Sequence, residues 1–303
     1  MRGRHSEKFK AGFPHHVYSK ALNGNIVFYS VKDCIFYSTL YFSLGRKYSI
    51  RTSSLCLMPN HTHSQEIVPD IKTFRRFHSE LNSQFASNYN RYHGRSGPLF
   101  QSPFGYAPKT SGKKIRENIV YIANNPVVGG LCDDVGSYRW NFIPYRNDRN
   151  PFSSAIHLSE ESKPMRRSIR LCNYFHGEGL PLNYERQNQI YSGLSRQEKK
   201  KMIDYIISKY ISLDYDFVSS SFGGHYENAL MVMQSNSGAE YEIPEDIENY
   251  QIYTRMITIM RDAGYNMERI CMELLEPSEI ERLSFIFSCA GADPMQIKKF
   301  LHL

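Results

Sequence analysis

No Cys-x-x-Cys pair occurs in this sequence; its six cysteines (34, 56, 132, 172, 271 and 289) are scattered along 303 residues. That scatter argues against a zinc site and a disulfide framework, and fits a reducing, cytoplasmic compartment. No run approaches 18 apolar residues, so no membrane span is expected. The basic stretch Met1 to Lys20 lacks the apolar core of a secretion signal. Acidic residues are scarce at one end: residues 1–150 hold 9 Asp and Glu against 21 Lys and Arg, whereas the remainder holds 21 against 16. A hydrophobic content of 41% can support a real core and argues against global disorder, and the length suits one large or two ordinary domains. A basic half rich in tyrosine suggests a nucleic-acid partner, cations meeting phosphate and rings stacking on bases; a solvated basic surface is the plainer alternative.

The most informative segment is Met58-Pro59-Asn60-His61-Thr62-His63. Side chains alternate faces along a strand, so His61 and His63 point the same way, about 7 Å apart along the backbone, as two imidazoles converging on one cation require. A second segment is Tyr121-Ile122-Ala123-Asn124-Asn125-Pro126. On a helix Asn125 follows Tyr121 by one turn and shares its face. Lys114, Asn118, Tyr121 and Asn125 then form a polar stripe beside Ile115, Ile119 and Ile122, so the isoleucines can pack on a sheet. Imidazole nitrogen with carboxamide oxygen suits Mg²⁺, Mn²⁺ or a related divalent ion, and no thiolate is at hand to recruit zinc. Each feature alone also has a bland reading, a core-edge tyrosine, a helix-capping asparagine, chance histidines; the combination carries the weight.

Around these segments the pattern predicts a strand over His15 to Leu22, a buried helix over Val31 to Leu44, a strand over Ser49 to Met58, a turn at Pro59-Asn60 and a strand over His61 to Val68. Ile71, Phe74, Phe77, His78, Leu81 and Phe85 recur at helical spacing from Asp70 to about Tyr92. A strand over Phe100 to Ala107 and a helix over Gly112 to Asn124 follow, the helix capped by Ser111 and terminated with help from Pro126. The order β-α-β-β-α-β-α gives an α+β, ferredoxin-like antiparallel sheet with an extra helix. Residues 151–194 read as an irregular linker. Residues 195–303 read as a mainly α-helical C-terminal domain, with helices over Ser195 to Leu213, Ile247 to Asp262, Met267 to Leu275 and Ser278 to Cys289. Its end, about 278–303, resembles a helix-turn-helix whose second helix, starting at Asp293 or Pro294, carries Gln296, Lys298, Lys299 and His302.

Taken in order, Met-Pro-Asn-His-x-His, then Gly94-Arg95-Ser96-Gly97-Pro98-Leu99-Phe100-Gln101, then Tyr121 to Pro126, then Tyr138-Arg139-Trp140, the chain resembles the HUH single-tyrosine transposases, and within them the REP-associated tyrosine transposase branch. The resemblance covers roughly residues 10–146. It implies an HUH nuclease domain over 1–150 that cleaves and rejoins single-stranded DNA, with a hairpin in the target. Carried over by position, His61, His63 and Asn125 are metal ligands, Tyr121 is the nucleophile, and the products are a 5′-phosphotyrosine and a free 3′-OH. A phenol of pKa near 10 is only about 0.1% ionised at neutral pH, so charge withdrawal by the ion from the phosphate has to compensate. Lys114, Lys113, Arg95 and Arg75 are the basic residues selected as DNA contacts. Two positions depart from the family pattern: Thr62 stands where an apolar residue is usual, and the strand continues Ser64-Gln65-Glu66, where Glu66 is either a polar neighbour of the site or solvent-facing. These departures keep a second reading open, a domesticated DNA-binding regulator without catalysis; a third is a metal phosphoesterase acting on another substrate. The sequence does not decide between monomer and dimer.

Overall fold

The computed structural model describes residues 9–101, 104–235, 252, 255–256, 258–260, 262–265 and 275–301. The fold is α+β. Four antiparallel strands, β1 (Pro14–Lys20), β2 (Arg51–Met58), β3 (His61–Ile67) and β4 (Gly105–Pro108), form one sheet in the order β2-β3-β1-β4. Helix α1 (Val31–Tyr48) starts at a reciprocal cap, in which Ser30 Oγ accepts from the Asp33 amide and the Asp33 carboxylate accepts from the Ser30 amide. It is buried continuously from Asp33 to Gly45, so more than one face of the helix is covered. Helix α2 (Ile71–Tyr92) is capped by Asp70, which accepts from the Lys72 and Thr73 amides, and buries Phe74, Phe77, His78, Leu81, Phe85 and Tyr89.

The two faces of the sheet serve different layers. Thr62, Ser64 and Glu66 of β3 face α1 and α2: Tyr37 Oη lies 3.4 Å from Thr62 Oγ1, and Glu66 accepts from Tyr41 Oη (2.7 Å) and Ser64 Oγ (2.6 Å) and pairs with His78 Nε2 (2.8 Å). Glu66 is therefore neither solvent-facing nor a neighbour of the histidine pair; it is fully buried on the opposite face. His61, His63 and Gln65 face α3 (Gly112–Val128), where Gln65 Nε2 donates to Asn118 Oδ1 (2.9 Å) and to the Ile115 carbonyl (3.1 Å).

Two boundaries differ from expectation. Of the predicted strand Phe100 to Ala107, Phe100 makes an isolated bridge to Ala21, Gln101 and Phe104 are outside the ladder, and β4 begins at Gly105. Pro126 does not end α3, which continues two residues beyond it to Val128. So near the end a proline removes a single helical bond, and the Gly129 and Leu131 amides close the terminus on the Asn125 and Pro126 carbonyls.

The segment expected to be an irregular linker, 151–194, contains α4 (Lys163–Gly177) and α5 (Tyr184–Tyr191), capped by Ser162 and Asn183. Met165, Ile169, Cys172 and Phe175 of α4 repeat at helical spacing, but Arg166, Arg167 and Arg170 between them hide the pattern. With α6 (Arg196–Tyr210) these helices extend the core that begins at the sheet. Buried polar bonds fasten the join: the Leu182 amide donates to Thr39 Oγ1 (2.9 Å), and Tyr184 Oη to Asp33 (2.6 Å). Asp204 receives Arg139, Tyr145 Oη (2.6 Å), Ser153 Oγ (2.7 Å) and the Phe152 amide (3.1 Å). Helices α7 (Tyr215–Ser221) and α8 (Tyr226–Ser235) pack Val218, Phe222, Ala229 and Met233 against Ile119, Val120 and Ala123 of α3. The isoleucine stripe of α3 is thus divided, Ile122 joining the sheet-side core and Ile119 the α7–α8 side.

Helices Pro277–Cys289 and Pro294–Leu301 pack through Phe287 and Phe300, ring centroids 5.3 Å apart. Asp293 and Gln296 exchange reciprocal caps at the start of the second, and Lys298 is exposed. His302, most of 247–262 and nearly all of 267–275 lie outside the described residues. No helix among the described residues is long and apolar enough to cross a membrane. Cys34, Cys56, Cys132, Cys172 and Cys289 are free thiols.

Candidate active site

Strand register decides which side chains meet. On β1, Lys20 pairs with His61, Tyr18 with His63 and His16 with Gln65; on β2, Met58 pairs with His61 and Cys56 with His63. Directly paired residues share a face, so His16, Tyr18 and Lys20 accompany the histidine pair. Helix α3 is pinned above this face at its first turns by the Gln65–Asn118 bond. From Asn118 the helix reaches Tyr121 and then Asn125 while β3, read backwards, reaches His63 and then His61. The rises along helix and strand, about 5 Å and 7 Å per step, keep the two series in register.

The result brings together all four residues singled out from the sequence. The rings of His61 and His63 lie 4.8 Å apart between centroids, and the Tyr121 ring lies 5.4 Å from His63. His61 Nε2 is 3.4 Å from Asn125 Oδ1. His61 and His63 are buried, while Tyr121 and Asn125 are half-buried at the mouth. Two residues that sequence reasoning set aside or overlooked also belong here. His16 Nε2 is 2.9 Å from His63 Nδ1, and its ring is 5.5 Å from that of Tyr121. Asn60 Oδ1 is 2.6 Å from His61 Nδ1. The signal for His16 was the period-two series His16, Tyr18, Lys20, but only the pairing of β1 with β3 shows which face it shares. His15 and His78, by contrast, lie on the α2 side, packed on Phe74.

All three imidazoles are held in the neutral form. Burial lowers His16 to about 3, with Lys109 and His61 adding to the effect. Burial lowers His61 to about 4, opposed by its bond to Asn125 and assisted by Lys20. His63 is pushed well below the ordinary value by burial, then by His61, His16 and Lys20. Among the described residues no carboxylate is one of the groups acting on these rings. Cys56, opposite His63, is buried and its thiol is pushed up by that burial, so it stays protonated.

Neutrality creates an unmet demand. With Asn60 Oδ1 taking the Nδ1 proton of His61, Nε2 is left as a lone pair, and it faces another acceptor, Asn125 Oδ1. The amide of Asn125 is oriented by Nδ2 donating to the Tyr121 carbonyl (3.4 Å). In that tautomer the two lone pairs, 3.4 Å apart, would be satisfied together by a cation. Likewise, if His63 donates from Nδ1 to His16, its Nε2 is bare. The donor set thus fits a divalent ion of the Mg²⁺ or Mn²⁺ type through two nitrogens and one amide oxygen. Among the described residues no group of three or more His, Cys, Asp or Glu side chains is arranged to hold a metal, which is in keeping with His16 standing behind His63 as its hydrogen-bond partner.

The basic residues picked from the sequence are less concentrated. Lys114 is exposed at the start of α3, separated from Tyr121 by the plugged Asn118. Lys113 is exposed and lies 3.5 Å from Glu117. Arg95 follows α2 with its guanidinium over the Tyr89 ring, in the loop that then pairs Leu99 with Leu22. Arg75 does not approach the site: it projects from α2, on the far side of the sheet, into an open concavity with Tyr48, Arg76 and Glu80.

No protein-family model matches this chain, and no curated protein matches it. Among solved structures, a REP-associated tyrosine transposase bound to a REP hairpin is similar at 16% identity and a TM-score of 0.42, over 53% of this chain and 95% of that one.

Proposed function

We propose that this chain cleaves and rejoins single-stranded DNA as a tyrosine transposase, with Tyr121 as nucleophile and His61, His63 and Asn125 holding a divalent ion. The observation that carries this reading is the approach of His61 Nε2 to Asn125 Oδ1, 3.4 Å apart, one helical turn from a half-buried tyrosine. The sheet order, with β3 between β1 and β2, is read as the ferredoxin-like arrangement of HUH nucleases. Bound there, Mg²⁺ or Mn²⁺ supplies polarisation of a phosphate oxygen. Tyr121 Oη forms a bond to phosphorus, the P–O3′ bond breaks, the phenol proton leaves and the 3′ oxygen takes up a proton. The phosphotyrosine preserves the phosphodiester bond energy, so reversal by a 3′-OH rejoins a strand without ATP. A hydrolase would instead need a positioned base for water, and burial holds the His16 and His61 imidazoles at about 3 and about 4, which makes them weak bases. The departures at Thr62, Ser64 and Glu66 leave this reading intact, because those side chains face α1 and α2. A cytoplasmic protein acting on a hairpin-bearing strand is the setting that fits.

The test is a denaturing gel with 3′-labelled single-stranded hairpins taken from sequence flanking the gene, incubated with protein and Mn²⁺ or Mg²⁺. The expected result is a labelled, SDS-resistant protein band that disappears with Tyr121→Phe and with EDTA. Hairpins that bind tightly yet form no adduct would favour a DNA-binding regulator; turnover with no adduct would favour a phosphoesterase.

A further inference from the structure

Two residues of β1 share the face of the histidine pair without a role so far. Lys20 is the direct cross-strand partner of His61, and Tyr18 that of His63. Both are half-buried. Lys20 forms no ion pair with a carboxylate among the described residues, yet its charge acts on both His61 and His63. An ammonium group beside a cation-binding donor set is unfavourable unless an anion joins them. Tyr18 has an equally specific setting. Its ring leans across the sheet onto Gly105 of β4, where a Cβ would overlap Cζ, Oη and Cε1 together. Near-equal approach to those three atoms places the glycine under the ring's face rather than at its edge. The rings within reach of Tyr18 are those of His16 and His63, at 6.0 and 6.4 Å between centroids. One face therefore rests on the sheet and the other is turned away from it, beside the site.

We propose that Lys20 and Tyr18 form a nucleotide subsite adjoining the metal ligands, Lys20 contacting a backbone phosphate and Tyr18 stacking on the base attached to it. The subsite rests on the reading of this face as a nucleic-acid site. Two positions apart on one strand, the two side chains lie about 7 Å apart along the backbone, close to the spacing of phosphate and base within one nucleotide unit. Stacking on an aromatic ring tolerates any base, so the subsite grips a strand without selecting its sequence. Gly105 is the residue that makes the platform flat.

The test is equilibrium binding of the full-length chain, in EDTA so that no cleavage intervenes, to labelled oligothymidylate and to an abasic strand of the same length. Lys20→Gln should weaken both and reduce the salt dependence, log K against log salt, by about 0.7. Tyr18→Leu should weaken oligothymidylate about tenfold and leave the abasic strand unaffected, whereas Tyr18→Phe, which keeps the ring, should restore affinity. Gly105→Ala, which displaces the ring without removing it, should reproduce Tyr18→Leu, and serves if that variant folds poorly. Variants that bind like the parent chain, or a Tyr18→Leu loss equal on both strands, overturn the subsite alone. A parent chain that binds neither strand in EDTA overturns the subsite; one that also binds no hairpin in Mn²⁺ overturns the proposed function with it.

Discussion

At the residue scale the chemistry depends on which nitrogen of each histidine carries its proton. Asn60 Oδ1 faces His61 Nδ1 and His16 faces His63 Nδ1, so a proton held on each Nδ1 frees the opposite nitrogen for a cation. Asn60→Ala or His16→Leu should therefore lower Mn²⁺ affinity by about 10- to 100-fold without touching a ligand, measurable by calorimetric titration; unchanged affinity would show that the partners play no part. The same rings predict a pH response. Their folded pKa values lie below the unfolded value of 6.5, at about 3 for His16 and about 4 for His61. The unfolded chain then binds more protons between those limits, so stability is full above pH 6.5 and falls as pH drops toward 4. Thermal midpoints measured in EDTA should show this decline, and His16→Gln should make it shallower. Of these residues, His61, His63, Tyr121 and Asn125 were legible because their spacings are local, two on a strand and two on a helix. His16, Tyr18 and Lys20 were not, because their place depends on a pairing between strands more than forty residues apart in sequence. Glu66 was misassigned although alternation from His63 already puts it on the other face; what the sequence could not reveal is that two helices bury that face.

At the element scale the site is a matter of how α3 is clamped. Gln65 fixes it to β3, and on its other side Asn124 Nδ2 donates to the Met233 carbonyl of α8 (2.9 Å). Gln65→Leu leaves Asn118 Oδ1 and the Ile115 carbonyl without this donor and should cost about 2 kcal/mol in urea unfolding, together with a loss of adduct formation out of proportion to the unfolded fraction. An adduct yield that simply tracks stability would mean that the bond holds the fold but does not set the position of Tyr121. Asp70 and Ser111 stand where the sequence pattern places the starts of α2 and α3, whereas α1 was readable from the length of its apolar run and its Ser30 cap is seen only in the structure. Prolines were the weak point, since Pro126 is tolerated in the last turn of a helix whose end is closed by the following amides.

At the scale of the whole molecule the sheet and the later helices share one core. Thr39, Asp33 and Arg139, all within the first 150 residues, are paired with Leu182, Tyr184 and Asp204. A chain ending at residue 150 should thus fail to reach a cooperative fold, seen as a missing thermal transition; a sharp transition would show that these bonds are dispensable. Asp204→Ala leaves the buried Arg139 without its carboxylate and should cost roughly 3–5 kcal/mol. The sequence hid this continuity because the charge-rich stretch after residue 150 looks like a tether until α4 and α5 are seen to bury one side each.

The donor set of the site carries no negative charge of its own, and Lys20 and Lys109 add positive charge around the buried rings. A dication is poorly accommodated there alone and better accommodated once a phosphodiester strand brings its negative charge. Their binding is then thermodynamically reciprocal: whatever factor the strand adds to Mn²⁺ affinity, Mn²⁺ must add to strand affinity. Titrating either in the presence and absence of the other should give the same factor, and a pocket of this kind would remain idle until both arrive.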